Sequence, residues 1–169
     1  MNIEDETTEG DPWSVLPIKT RKYANECKEI VLSNRKINKL INFDKFENLE
    51  ALWLTNNKLE RLVDMDKNFR LKILCVGNNR ITTLEGSLYH MKFLQMLFLN
   101  NNKLRNLDIN LMILKEFSFL KNLNLFGNPL AEEPEYRNRV IHYLPSLEIF
   151  DRHSNYLNIK IFKGFKLFI

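Results

Sequence analysis

The chain has 169 residues, room for one domain with a continuous core, and its 44% hydrophobic and 27% charged residues exclude a disordered polar chain. No apolar run approaches the roughly 18 residues that cross a bilayer as a helix, and the acidic opening MNIEDETTEGDPW is unlike a secretory signal, so a cytoplasmic chain that enters no membrane is expected. The net charge of +4 is unevenly spread: Glu4, Asp5, Glu6, Glu9 and Asp11 make the start acidic, and the basic remainder permits an acidic partner without requiring nucleic acid.

In chain order, residues 1–17 are predicted to be an acidic, flexible N-terminus. A phrase then recurs with the template L-x-x-L-x-L-x-x-N-x-L-x-x-L. Leu49, Leu52, Leu54, Asn57, Leu59 and Leu62 fill one copy, and Leu71, Leu74, Val76, Asn79, Ile81 and Leu84 the next. Leu94, Leu97, Leu99, Asn102, Leu104 and Leu107 follow. Upstream, Cys27, Ile30, Leu32, Ile37 and Leu40 take the same places with Arg35 in the Asn slot; downstream, Leu120, Leu123, Leu125, Asn128 and Leu130 make a fifth copy. Starts at 27, 49, 71, 94 and 120 give periods of 22, 22, 23 and 26 residues, the range of a leucine-rich solenoid.

The physics of the fixed letters predicts the geometry. Each L-x-L is read as a three-residue strand with its leucines inward and the residue between them outward, stacked in parallel on its neighbours. The Asn side chains Asn57, Asn79, Asn102 and Asn128 are predicted to form a ladder, each amide satisfied by backbone of adjacent turns. Phe43, Phe46, Met65, Leu88, Met91, Leu111, Leu114 and Phe117 are expected to return along the convex side as helical or 3₁₀ turns on the same core. No copy buries its apolar face alone, and stacking buries them all.

From 128 to 151 the spacing predicts a helical cap, started by Pro134 and ended by Pro145, that covers the last rung with Tyr136, Val140, Tyr143 and Leu144. Glu132, Glu133 and Glu135 are expected to complement the dipole at that helix's N-terminus. Residues 152–169 form a basic, apolar tail. Leu157, Ile159 and Ile161 alternate with Asn158 and Lys160, a period of two that predicts an extended segment. With the core already closed by the cap, and Lys160, Lys163 and Lys166 along it, this tail is expected to stay exposed.

Five copies in register, with Asn128-Pro129-Leu130, Tyr136-Arg137, Leu144-Pro145-x-Leu147 and Asp151 behind them, resemble the short, 22-residue type of leucine-rich-repeat protein. That type includes the protein-phosphatase-1 regulatory repeat protein and the spliceosomal A-prime protein. The resemblance spans about residues 27–151 and implies an α/β fold: a short, curved, right-handed leucine-rich repeat solenoid. It would have a parallel concave sheet, a helical or 3₁₀ convex side and a helical C-terminal cap, with the repeat domain over 18–151. The wording of VLSNRKI, LWLTNNKL and LNLFGNPLAEEPEYR is similar to that of ciliary members of the family. It implies an interaction subunit of a ciliary or flagellar assembly. A ribonucleoprotein subunit in the nucleus and a phosphatase regulator are the alternatives.

Function in such a chain is expected on the surface. Val31, Trp53, Cys75, Phe98 and Asn124 occupy the outward strand position, flanked by Glu29, Ala51, Ile73, Met96 and Asn122 before it and Ser33, Thr55, Gly77, Asn100 and Phe126 after it. Trp53, Ile73, Met96 and Phe98 would form an exposed apolar patch for a helix or loop of a protein partner. Lys36, Lys58, Arg80 and Lys103 follow the Asn slots and would make a basic stripe. Asn-Lys-Leu is also common wording for such repeats, so a solvated edge explains it, and direct nucleic-acid contact is not favoured. His90, His142 and His153 are scattered, the glycines form no phosphate loop, and Cys27 and Cys75 lie in different repeats. No enzyme activity, cofactor or metal is therefore expected, and a monomer is.

Overall fold

The computed structural model describes residues 8–151. The tail 152–169 and the first seven residues lie outside the described residues, and with them the expectations of an extended, exposed tail and of a flexible start.

Six short strands form one all-parallel sheet. β2 (Glu29–Val31), β4 (Ala51–Trp53), β5 (Ile73–Cys75), β6 (Met96–Phe98), β7 (Asn122–Asn124) and β8 (Ile149–Phe150) lie side by side in that order, one per repeat. Ile30, Leu52, Leu74 and Leu97 are register partners along the sheet, as the template demands. The strand frame differs from the sequence reading by one residue. The paired segment is x-L-x, with the inward Leu or Ile at its centre, and the second leucine of each L-x-L follows it, still inward. The ladder persists one step past the strand: Leu32 N–H donates to Trp53 O, Leu54 to Cys75 O, Val76 to Phe98 O and Leu99 to Asn124 O, at 2.7–2.9 Å. Each rung therefore turns the two side chains that flank its central Leu or Ile to the concave face.

The predicted Asn ladder is present. Asn79 Oδ1 accepts from Leu59 N–H at 3.0 Å, while its Nδ2 donates to Leu54 O at 2.9 Å and Val76 O at 3.0 Å. Asn57, Asn102 and Asn128 repeat this bridge to the preceding rung, and all four are buried. Arg35 costs nothing at the first slot, because β2 is the sheet's edge and offers no earlier rung to bridge. Its backbone N–H instead donates to Asn57 Oδ1 at 3.0 Å.

A second ladder, invisible in the template, runs beside the first. The residue before the Asn slot of each of the first four repeats adopts a left-handed conformation: Asn34, which precedes Arg35, and Asn56, Asn78 and Asn101, with φ of 61°, 59°, 54° and 54°. Their amides chain from rung to rung, Nδ2 to Oδ1, at 2.7–2.8 Å. Asn tolerates this backbone better than most residues, and the cross-rung bonds select it further. The series ends at Gly127 (φ 73°), where an added Cβ would lie 2.1 Å from Asn101 Oδ1 and would displace that amide, while glycine leaves it in place and adopts the left-handed backbone without strain.

The convex side follows period and length. The 22-residue repeats have room for a 3₁₀ turn at Phe43–Lys45, and another spans Ser87–His90. The repeat from 94 to 120 has extra residues and builds a true α-helix, α2 (Leu107–Leu114). All eight convex residues expected in the core are buried there.

The N-terminal boundary is a correction. Residues 8–17, expected within a flexible lead, are built into the fold. β1 (Glu9–Gly10) pairs in parallel with β3 (Lys39–Leu40), Trp13 packs edge-on against Phe46 with ring centroids 5.3 Å apart, and Leu16 joins the core. With α1 (Arg21–Glu26), capped by Thr20, they cover the first rung. Acidic composition had concealed Trp13 and Leu16, whose packing against the core outweighs it.

The cap helix, α3 (Tyr136–Tyr143), lies where predicted, with two corrections. Val140 and Leu144 are buried and Tyr136 is half-buried against the core, but Tyr143 is exposed. The inward face carries Tyr136, Val140 and Leu144, four residues apart, and Tyr143, the last residue of the helix, lies at its margin and stays exposed. Glu133 does not serve the cap helix: its Oε1 accepts from Leu107 N–H, the first residue of α2, at 2.8 Å, and its Oε2 lies 3.3 Å from Arg139, which also pairs with Asp108. One carboxylate thereby satisfies an orphan N–H of α2 and ties α2 to α3.

Candidate partner-binding site

The concave columns assemble as the register dictates. Ala51, Ile73 and Met96 are successive partners in one column, and Val31, Trp53, Cys75, Phe98 and Asn124 in the other. Ala51, Trp53, Ile73, Cys75 and Met96 form an apolar cluster separate from the main core, with Phe98 packed against it. The proposed site residues are thus brought together on one face.

Their exposure differs from expectation. Val31 is 44% exposed and Phe98 and Asn124 are half-buried, but Trp53, Ile73, Met96 and Cys75 retain only 4–7% of their surface. Rungs about 4.8 Å apart let neighbouring side chains on a concave face pack on one another, which removes much of the area the sequence reading left open. Trp53 is also fixed in place: its Nε1–H donates to Glu29 Oε1 at 2.7 Å, across one rung. Burial pushes the Cys75 thiol well above its usual range, so it sits in the strip as a small apolar side chain, not a nucleophile. The rim is open, with Val31 at one end and Phe126, 47% exposed, at the other.

The basic stripe follows the same register. Lys36 and Lys103 are exposed and Lys58 and Arg80 half-buried; the last three each follow a ladder Asn, and Lys36 follows Arg35 in the same slot. Sequence reading missed a charged column at the entry to the strands. Glu50 lies 3.0 Å from Lys28 and 2.6 Å from Lys72, and further along Lys121 lies 2.6 Å from Glu148. Hydrogen bonds from Lys72 and then Lys28 hold the Glu50 carboxyl below its usual range. The signal was present as alternating charge at one template position, residues 28, 50 and 72. Also missed was an aromatic pair outside the concave face: Phe93 and Phe119, both exposed, stack at 6.0 Å just before their strands.

Residues 16–160 match the family profile described as leucine-rich repeat. No curated protein sequence matches significantly. Among solved structures, a chain of the Drosophila melanogaster SNF/U2A′ complex is similar at 25% identity with a TM-score of 0.64, over 82% of this chain and 86% of that one. An internalin C2 from Listeria monocytogenes is similar in fold at 21% identity and a TM-score of 0.63, over 79% of this chain and 56% of its own. A leucine-rich repeat protein of Leptospira interrogans gives 22% identity and 0.55, over 77% and 33%. The chain belongs to the leucine-rich repeat family.

Proposed function

We propose that this chain is a non-enzymatic scaffold that holds a helix or loop of a protein partner on its concave sheet. One observation carries the reading. A second apolar cluster, centred on Trp53, lies on the face of the sheet turned away from the core, where folding of the solenoid requires no apolar side chains. Trp is also the residue most typical of an interface anchor. The solenoid fold typically serves as an interaction module, and fold alone does not name the partner.

The setting we propose is a ciliary or flagellar assembly in the cytoplasm, on the wording of the repeats. A second reading, a ribonucleoprotein assembly, is favoured by the similarity to a chain of the SNF/U2A′ complex. Affinity capture with mass spectrometry on the chain and on Trp53→Ala and Phe98→Ala separates the two. Tubulin or dynein-arm proteins lost from both variants support the first reading, and splicing factors lost from both support the second. A phosphatase catalytic subunit would point to a regulator. A partner profile unchanged by either substitution overturns the concave-face reading.

A further inference from the structure

We propose that the partner segment held on the concave strip carries a lysine or arginine, and that the Glu29 carboxylate receives it. The proposal deepens the concave-face reading and rests on it. Glu29 is half-buried in β2, the edge strand of the sheet, two residues from Val31 and on the same face. Its Oε1 accepts from the Trp53 indole at 2.7 Å, and that one bond leaves acceptor capacity free, since an ionised carboxylate offers about four lone-pair sites. Among the described residues no lysine, arginine or histidine forms an ion pair with it. Lys28, beside it in sequence, lies 3.0 Å from Glu50 instead.

A segment that packs on Val31 and Trp53 also lies over Glu29, because the carboxylate touches the indole nitrogen. Stripping water from an ionised carboxylate is costly unless a cation takes the water's place. An acidic residue there would add repulsion. Lysine answers as a point charge and arginine as a fork that reaches both oxygens.

The rest of the face sets the direction of that segment. Of the concave columns, Glu29 is the charged member at the β2 end, and Asp151, past β8, is already engaged by Leu125 N–H, Phe126 N–H and the Tyr136 hydroxyl. Asn100, Asn122 and Asn124 make the β7 side polar and neutral. The cation therefore sits at the β2 end, with apolar residues over Trp53 and Phe98 and uncharged groups toward β7. The column of Lys36, Lys58, Arg80 and Lys103 beyond the face repels a second cation there.

The probe is a phage-displayed library of short random peptides selected on the full chain. Clones that lose binding to Trp53→Ala should be enriched in lysine or arginine beside apolar residues. For one such peptide, made synthetically, Glu29→Gln should weaken binding roughly tenfold or more, and added salt should weaken binding to the native chain more than to that variant. Glutamine keeps an oxygen for the Trp53 indole. With Trp13→Phe leaving Trp53 as the sole tryptophan, unchanged emission and an unchanged thermal midpoint therefore separate lost charge from lost packing. Should Glu29→Gln disturb either, replacing the peptide's cation by glutamine should cost the native chain the same roughly tenfold. Trp53-dependent clones without a basic residue, or bound equally well by Glu29→Gln, overturn the proposal and leave the concave-face reading standing. Trp53-dependent clones rich in acidic residues overturn it in favour of the basic stripe. Clones that all bind Trp53→Ala as well as the native chain overturn the concave-face reading, and this proposal with it.

Discussion

The Tyr136 hydroxyl donates to Asp151 Oδ2 at 2.7 Å, and the other oxygen of that carboxylate stands in for a missing rung. Along the sheet, Leu32, Leu54, Val76 and Leu99 each give their N–H to a carbonyl of the next repeat, and Leu125, at the same position, gives its N–H to Asp151 Oδ1 at 2.7 Å. One side chain thus terminates a backbone ladder, and the cap helix aims it. Burial, and then the bond to Asp151, raise the Tyr136 phenol, which stays protonated as a donor.

Asp151→Ala should therefore destabilise the chain by about 1–3 kcal/mol, because Leu125 and Phe126 N–H both lose an acceptor at the end of the sheet. Tyr136→Phe should cost about 1 kcal/mol. In urea melts the double variant should cost less than the sum of the singles, since the two share one hydrogen bond. Strict additivity would show that Tyr136 does not position Asp151.

The two asparagine ladders should separate cleanly. Asn79→Ala strips a buried amide that bridges two rungs and should cost about 1–3 kcal/mol. Asn78→Gly loses two exposed bonds but keeps a residue at ease with φ of 54°, and should cost under about 1 kcal/mol. Lys92→Ala, exposed and outside both ladders, serves as the control. Equal losses for Asn78→Gly and Asn79→Ala in urea would contradict the division of roles.

These ladders also show what was legible in the sequence. Template, period, buried ladder and cap were readable, because each core side chain recurs at a fixed interval and stacking leaves it one place to go. The outer ladder of Asn34, Asn56, Asn78 and Asn101 was not, because its cause is backbone conformation, which hydrophobic periodicity does not report. Burial of Trp13 and Leu16 was masked by acidic neighbours. The columns of the concave face follow the register, but the exposure of Trp53 and Cys75 depends on the size of their neighbours across the rungs, which the repeat pattern leaves free.

The lowered Glu50 pKa carries a sign. A carboxyl held below its unfolded value adds stability that is present above that value, near pH 4.3, and is lost as pH falls through the folded one. Glu50→Gln should therefore lower the thermal midpoint at neutral pH and leave it nearly unchanged at about pH 2, where the wild-type carboxyl is protonated as well. Added salt should shrink the difference at neutral pH, the pairs being partly exposed. A deficit of equal size at both pH values would mean that Glu50 acts through packing and not charge.

The most direct measurement of the central claim is site-specific photocrosslinking. A benzophenone amino acid at Val31, exposed on the concave rim, is compared with one at Met112, exposed on α2, and with one at Phe93 in the aromatic pair outside the concave face. The predicted result is partner crosslinks from Val31, abolished by Trp53→Ala, with none from Met112 or Phe93. Crosslinks from Phe93 or Met112 alone would contradict it and move the interface off the concave sheet.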